Sequence, residues 1–101
     1  MRFEWDPSKN DENLRKHGLD FADAAEVFGG PMWTLEDDRF DYGEVRSIGI
    51  GLLRGVVVVL VFAERDDDMI RIISFRRAIK YERDQFYEFL KDRLGPPEND
   101  V

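Results

Sequence analysis

The stretch Val56-Val57-Val58-Val59-Leu60-Val61-Phe62-Ala63 constrains this chain more than any other. β-branched residues at this density crowd a helix and suit an extended backbone. The run shows no polar alternation, so it reads as a central strand covered on both faces. It is far shorter than the ~20 residues that cross a bilayer. The fold has to be built around this strand, with apolar material above and below it.

The flanking sequence supplies that material. Arg54-Gly55 is a tight turn back to a strand at Glu44–Leu53, and Glu64–Asp68 is an acidic turn into Met69–Arg76. Met32–Glu36 and Met1–Trp5 read as two further strands, with Asp37–Gly43 a polar turn region. Asp6-Pro7 is a helix start, Asp6 as N-cap and Pro7 with the φ of a first turn. That helix is expected from Pro7 to His17, stopped by Gly18. Asp20 caps a second helix whose apolar face is Phe21, Ala24, Ala25 and Phe28, closed by Gly29-Gly30-Pro31. Lys80–Leu94 is amphipathic, with Tyr81, Phe86, Phe89, Leu90 and Leu94 on its buried side.

The order β-α-α-β-β-β-β-α, with short turns between consecutive strands, predicts an antiparallel sheet with helices packed on it. That is a two-layer α+β fold. Gly49 and Gly51 read as strand bulges. A marginal strand, Met32–Glu36 or Met1–Trp5, is where a partner strand could add. Residues 1–95 form one domain, and 96–101, rich in proline and acid, reads as a flexible tail.

Composition excludes several classes of function. The chain has no cysteine, so neither disulfides nor thiolate metal sites are expected. Its N-terminus carries charges rather than an apolar signal core, which points to a soluble cytoplasmic protein without a membrane span. One histidine and scattered carboxylates show no ligand spacing for a metal, and no cofactor motif is present. No Ser-His-Asp or Cys-His nucleophile set is recognisable. The net charge of −7 argues against a generic nucleic-acid binder. Residues 69–94, however, carry a local excess of +3, enough to hold phosphate locally.

Two groups of side chains stand out. Lys9, Asn13, Lys16 and His17 share one face of the first helix, an arrangement suited to an anion. Cations at a helix C-terminus also complement its dipole, which alone would explain Lys16. Arg46, Arg65, Arg71 and Arg76 lie in or at the ends of strands, where arginine is costly unless paired or aimed at an anion. Straight alternation puts Arg76 with Ile70, Ile72 and Ser74, and Arg71 on the other face with Ile73 and Phe75. Glu44, two residues before Arg46, leaves on the same face and either orients that arginine or serves as a general base. Glu44, Glu64 and Glu82 are available as ion-pair partners.

Taken together, the blocks Phe3-Glu4-Trp5-Asp6-Pro7 with Lys9 and Asn13, Lys16-His17-Gly18 with Phe21, Gly43-Glu44 with Arg46, Arg71-Ile72-Ile73-Ser74 with Arg76, and Glu82-Arg83 with Tyr87 resemble the BrnT family of ribonuclease toxins. The resemblance spans roughly residues 3–87. It implies a RelE-like fold and metal-independent cleavage of RNA that inhibits translation. It also implies neutralisation by a BrnA-like antitoxin with a ribbon-helix-helix domain, in a hetero-oligomer that represses its own operon and touches DNA only through the antitoxin. Through the same matches, His17, Glu44, Arg65 and Arg76 are the expected catalytic residues. Lys9, Lys16, Arg46 and Arg83 are expected to grip the RNA backbone. A catalytically weak protein that serves only as the antitoxin's binding partner is the competing expectation.

Overall fold

The computed structural model describes residues 1–66 and 68–94; the expected tail at 96–101 lies outside the described residues. The elements run β1 (Arg2–Glu4), α1 (Pro7–His17), a 3-10 turn (Phe21–Asp23), α2 (Ala24–Phe28), β2 (Met32–Asp37), β3 (Arg46–Leu53), β4 (Val56–Arg65), β5 (Met69–Arg77) and α3 (Lys80–Leu94). The five strands are ordered β1-β5-β4-β3-β2, so the valine-rich run occupies the middle of the sheet. Its residues Val57–Leu60, Phe62 and Ala63 are buried. The expected α+β class and element order both hold.

Three features differ from the expectation. First, the helices divide between the two sheet faces instead of forming one layer. On one face Leu19, Phe21, Ala24 and Val27 pack with Val58, Leu60, Phe62, Ile70, Ile72 and Phe75. On the other, Phe86, Phe89 and Leu90 of α3 pack with Ile50, Val57 and Val59. An unbroken apolar strand requires a cover on each side, which one layer of helices cannot supply. Second, β1 pairs with β5 in parallel, Arg2 opposite Met69 and Glu4 opposite Arg71, while the other pairs are antiparallel. The α1–α2 excursion and the β2–β4 meander separate β1 from its partner, so no tight turn dictates their direction.

Third, the helix faces shift. Ala25 is exposed and Val27 takes its place in the core; Tyr81 is 68% exposed because it precedes the stripe led by Phe86. The two glycines of β3 sit in regular register and are not bulges. They permit close approach: a Cβ on Gly49 would lie 2.5 Å from Met32 Sδ, and one on Gly51 would lie 2.7 Å from Val27 Cγ1.

The bulge falls elsewhere. Val61 pairs with Ser74 and Phe62 with Ile72, which leaves Ile73 of β5 as the extra residue. A bulge reverses the side-chain parity beyond it. Asn13 of α1 completes the edge of β5 past the end of β1. Its amide nitrogen donates to the Phe75 carbonyl (2.7 Å) and to the Leu19 carbonyl (3.0 Å), while its oxygen accepts from the Phe75 N–H (3.2 Å). A buried side-chain amide therefore stands in for a missing strand. α1 is capped as expected, Asp6 accepting from the Ser8 N–H and Gly18 turning at φ 69°.

Candidate functional site

The bulge at Ile73 decides the geometry of the site. Ile70, Ile72 and Phe75 all join the cluster beneath α1 and α2. Arg71, before the bulge, and Ser74 and Arg76, after it, consequently share the opposite face. Straight alternation had put Arg71 and Arg76 on opposite faces; the extra residue corrects that. The apolar spacing of two and then three residues in Ile70-Ile72-Phe75 is the signal for it.

Cross-strand pairs carry this face across the sheet. Arg76 lies opposite Val59, Ser74 opposite Val61, and Ala63 lies between Arg71 and Arg46. Arg46 in turn faces Asp37. α3 covers only the end that holds Val57 and Val59. Beyond it lies an open trough floored by Ser74 and half-buried Val61. Arg76 borders it on one side; Arg71, Arg46 and Arg65 border it on the other. The Arg76 and Arg71 rows are marked by Val59 and Ala63, four residues apart on β4, roughly 13 Å at the backbone, a span that the long side chains narrow.

Carboxylates hold most of these arginines. Arg76 makes a fork-to-fork pair with Glu82 of α3, both bonds 2.8 Å, and Glu82 also accepts from the Ile79 N–H. The Arg76 hydrogen bonds pull the Glu82 carboxyl below its ordinary range. The same pair raises the Arg76 guanidinium, against the nearby positive charge of Arg39. Arg46 donates from Nε to Glu44 (3.2 Å) and lies 4.0 Å from the centroid of the Tyr42 ring. Arg65 approaches the other Glu44 oxygen at 3.7 Å. Glu44 thus holds Arg46, one of the two roles its spacing suggested, and reaches Arg65 as well.

Asp37 ends β2 with its side chain only 1% exposed. It accepts two bonds from the Arg39 guanidinium, at 2.8 and 2.9 Å, a longer one from the Arg39 N–H (3.4 Å), and one from the Tyr42 hydroxyl. Hydrogen bonding from Arg39 holds its carboxyl down at about 2. Asp37 anchors the loop that presents Arg39, Tyr42 and Glu44 to the trough. Sequence reading missed this group because Asp37-Asp38-Arg39 looked like a solvated turn. Its one signal is parity: Asp37 follows Trp33 and Leu35 on a single strand face.

The helix group lies along the β5 edge. Lys9, Glu12, Asn13, Lys16 and His17 line a cleft of about 190 Å³ with Ile73 and Ser74. Ser74 therefore belongs to both the cleft and the trough floor. Asn13 is spent on backbone hydrogen bonds and is not an anion ligand. Lys16 makes a weak exposed pair with Glu12 at 3.8 Å. His17 sits beside Arg77, whose guanidinium donates to the His17 carbonyl. His17 and Glu44 are at opposite ends of the assembly, with β4 and β5 between them. Arg83 donates to the Ala78 carbonyl, tying down the start of α3. Among the described residues, no three His, Cys, Asp or Glu side chains are grouped to hold a metal ion, and no helix is long and apolar enough to cross a membrane.

The arrangement can neutralise an extended polyanion along one open sheet face, with lysines on the flanking helix. The family model for the ribonuclease toxin BrnT of type II toxin–antitoxin systems matches residues 5–82. Among solved structures, the ribonuclease toxin BrnT of Brucella abortus is similar, with a TM-score of 0.60 and 28% identity, over 79% of this chain and 99% of that one. No curated protein matches. The matched span includes the α1 row, the trough and Glu82, so the chain belongs to the BrnT family of ribonuclease toxins of type II toxin–antitoxin systems.

Proposed function

We propose that this protein is a metal-independent endoribonuclease that inhibits translation. The observation that supports this reading best is the convergence of Arg46, Arg65, Arg71 and Arg76 on one uncovered sheet face beside Lys9, Lys16 and His17. In the reaction a base takes the proton of a ribose 2′-OH, and the oxygen attacks the adjacent phosphorus. The 5′-oxygen leaves with a proton from an acid, giving a 2′,3′-cyclic phosphate and a 5′-hydroxyl. Arg76 and Arg65 neutralise the pentacovalent phosphorus. His17 or Glu44 moves protons, and Lys9, Lys16, Arg46 and Arg83 hold the backbone. Removing one such stabiliser costs about 3 kcal/mol, or a hundredfold in rate.

A BrnA-like antitoxin with a ribbon-helix-helix domain holds the toxin in a hetero-oligomer and supplies the DNA contacts for repression of the operon. The carboxylates on Arg46, Arg65 and Arg76 favour a second reading, in which the face is internally neutralised and the chain is a catalytically weak partner of the antitoxin. Induction of the chain alone and with its neighbouring reading frame separates the two. Growth arrest relieved by the neighbour, with arrest lost in Arg76→Ala, supports the nuclease. Stable co-purification without arrest supports the binding partner.

A further inference from the structure

We propose that the cavity beyond the arginine rows is a nucleotide subsite, in which Arg71 holds the backbone phosphate of single-stranded RNA next to the one that Arg65 and Arg76 neutralise, with Trp5 at the cavity's edge. This rests on the ribonuclease reading and extends the substrate track away from Arg76. The cavity encloses about 240 Å³ and is lined by Glu4, Trp5, Asp6, Arg65 and Arg71. It shares no residue with the α1 cleft.

Arg71 carries the argument. Arg46, Arg65 and Arg76 on this face each meet a carboxylate. Half-buried Arg71 makes no side-chain hydrogen bond or ion pair among the described residues. A guanidinium withdrawn partly from water with its donors unused is set up for an incoming anion. Arg65 keeps donors as well, since its one contact is long, at 3.7 Å, and its side chain is 46% exposed. An open guanidinium fork beside a second, loosely held one is an element that grips a phosphate backbone without reading its sequence. Trp5 lines the edge of the cavity, its ring anchored edge to face on Phe21 at 6.4 Å, so it reports on occupancy without moving freely.

The acids are part of the same site. Asp6 is committed to the Ser8 N–H. Glu4 is the cross-strand neighbour of Arg71 and competes with phosphate for it. The two positions therefore have opposite expected signs, which a purely structural Arg71 would not produce.

Trp5 and Trp33 are the only tryptophans, and Trp33 stacks on Phe89 far from the cavity, in the α3 cluster. In Trp33→Phe protein, Trp5 fluorescence is titrated with a 2′-O-methyl oligoribonucleotide, which has no nucleophile and is not cleaved. The expected result is a saturable change, weakened about tenfold or more by Arg71→Ala, less so by Arg71→Lys, and tightened by Glu4→Gln. No Trp5 response, or unchanged affinity in Arg71→Ala and Arg71→Lys, overturns the subsite. Equal binding of a polyglutamate peptide assigns the arginines to an acidic protein and also overturns it. If the oligonucleotide binds as expected while cleavable RNA stays intact, the subsite stands and the ribonuclease reading falls. If RNA is cleaved but Arg71→Ala leaves the Trp5 response and KM unchanged, the reverse holds.

Discussion

Replacing Asn13 tests how far the site depends on one buried amide. The side chain makes three hydrogen bonds, two to Phe75 and one to Leu19, and is 6% exposed. At about 1 kcal/mol net per bond, Asn13→Ala costs about 3 kcal/mol, because it also strands two carbonyls and an N–H. That is a large share of the roughly 5–15 kcal/mol that holds a domain together. It corresponds to a melting temperature lower by about 12–24 °C in a chain of this size. Asn13→Asp is the sharper variant. An ionised carboxylate still accepts from the Phe75 N–H but faces two carbonyls with no proton to offer. It should therefore be less stable than the alanine variant at pH 7. Its native carboxyl would be raised, so the native state binds the proton more tightly and stability rises as pH falls. Urea unfolding followed by circular dichroism at pH 7 and pH 5 measures both effects. A shift below about 0.5 kcal/mol in Asn13→Ala, or an Asp variant firmer than the Ala variant at pH 7, would refute the reasoning.

Asp37 supplies an acid-dependent counterpart. Its folded carboxyl lies at about 2, against an ordinary 3.8. Its contribution is complete above the ordinary value and is lost as pH falls toward 2. The parent should weaken across that window, while Asp37→Asn, about 1–2 kcal/mol less stable at neutral pH after allowance for the exposed Arg39, should show a flatter profile by urea midpoint. Gly51→Ala should cost about 1–3 kcal/mol through overpacking, since the new methyl meets Val27 Cγ1 at 2.7 Å and the Pro31 carbonyl oxygen at 3.3 Å. Pairing it with Val27→Ala should recover part of that loss in thermal melts.

Much of the fold was legible because local signals agreed with one another. The valine run, Asp6-Pro7, Gly18 and Arg54-Gly55 each act through backbone preferences that tertiary packing did not override. The division of helices between faces was less legible, since amphipathicity says that a stripe is buried but not on which side of a sheet. Arg71 was misplaced by one inserted residue, because alternation is a counting argument and a bulge at Ile73 alters the count. Asn13 looked like a ligand by spacing. Its hydrogen bonds reach 62 residues along the chain to Phe75, a distance at which helical periodicity carries no information. The pairing of Arg76 with Glu82 was within reach of the sequence; which arginine would be left unpaired was not.

The parallel pairing of β1 with β5 sets an order of events during synthesis. A chain made from its N-terminus displays Arg2–Glu4 and all of α1 long before Met69–Arg77 exists to receive them. Until then Asn13 has no strand to complete, and the lysines of α1 have no trough to border. Contacts this remote in sequence also form late and slowly. Arg46 and Arg65 meet Glu44 within residues 44–65, whereas Arg71 and the Arg76–Glu82 pair join the face only once residues 69–82 have been made. In this member of a ribonuclease-toxin family, the Arg71–Arg76 edge is therefore the last part of the basic face to be assembled.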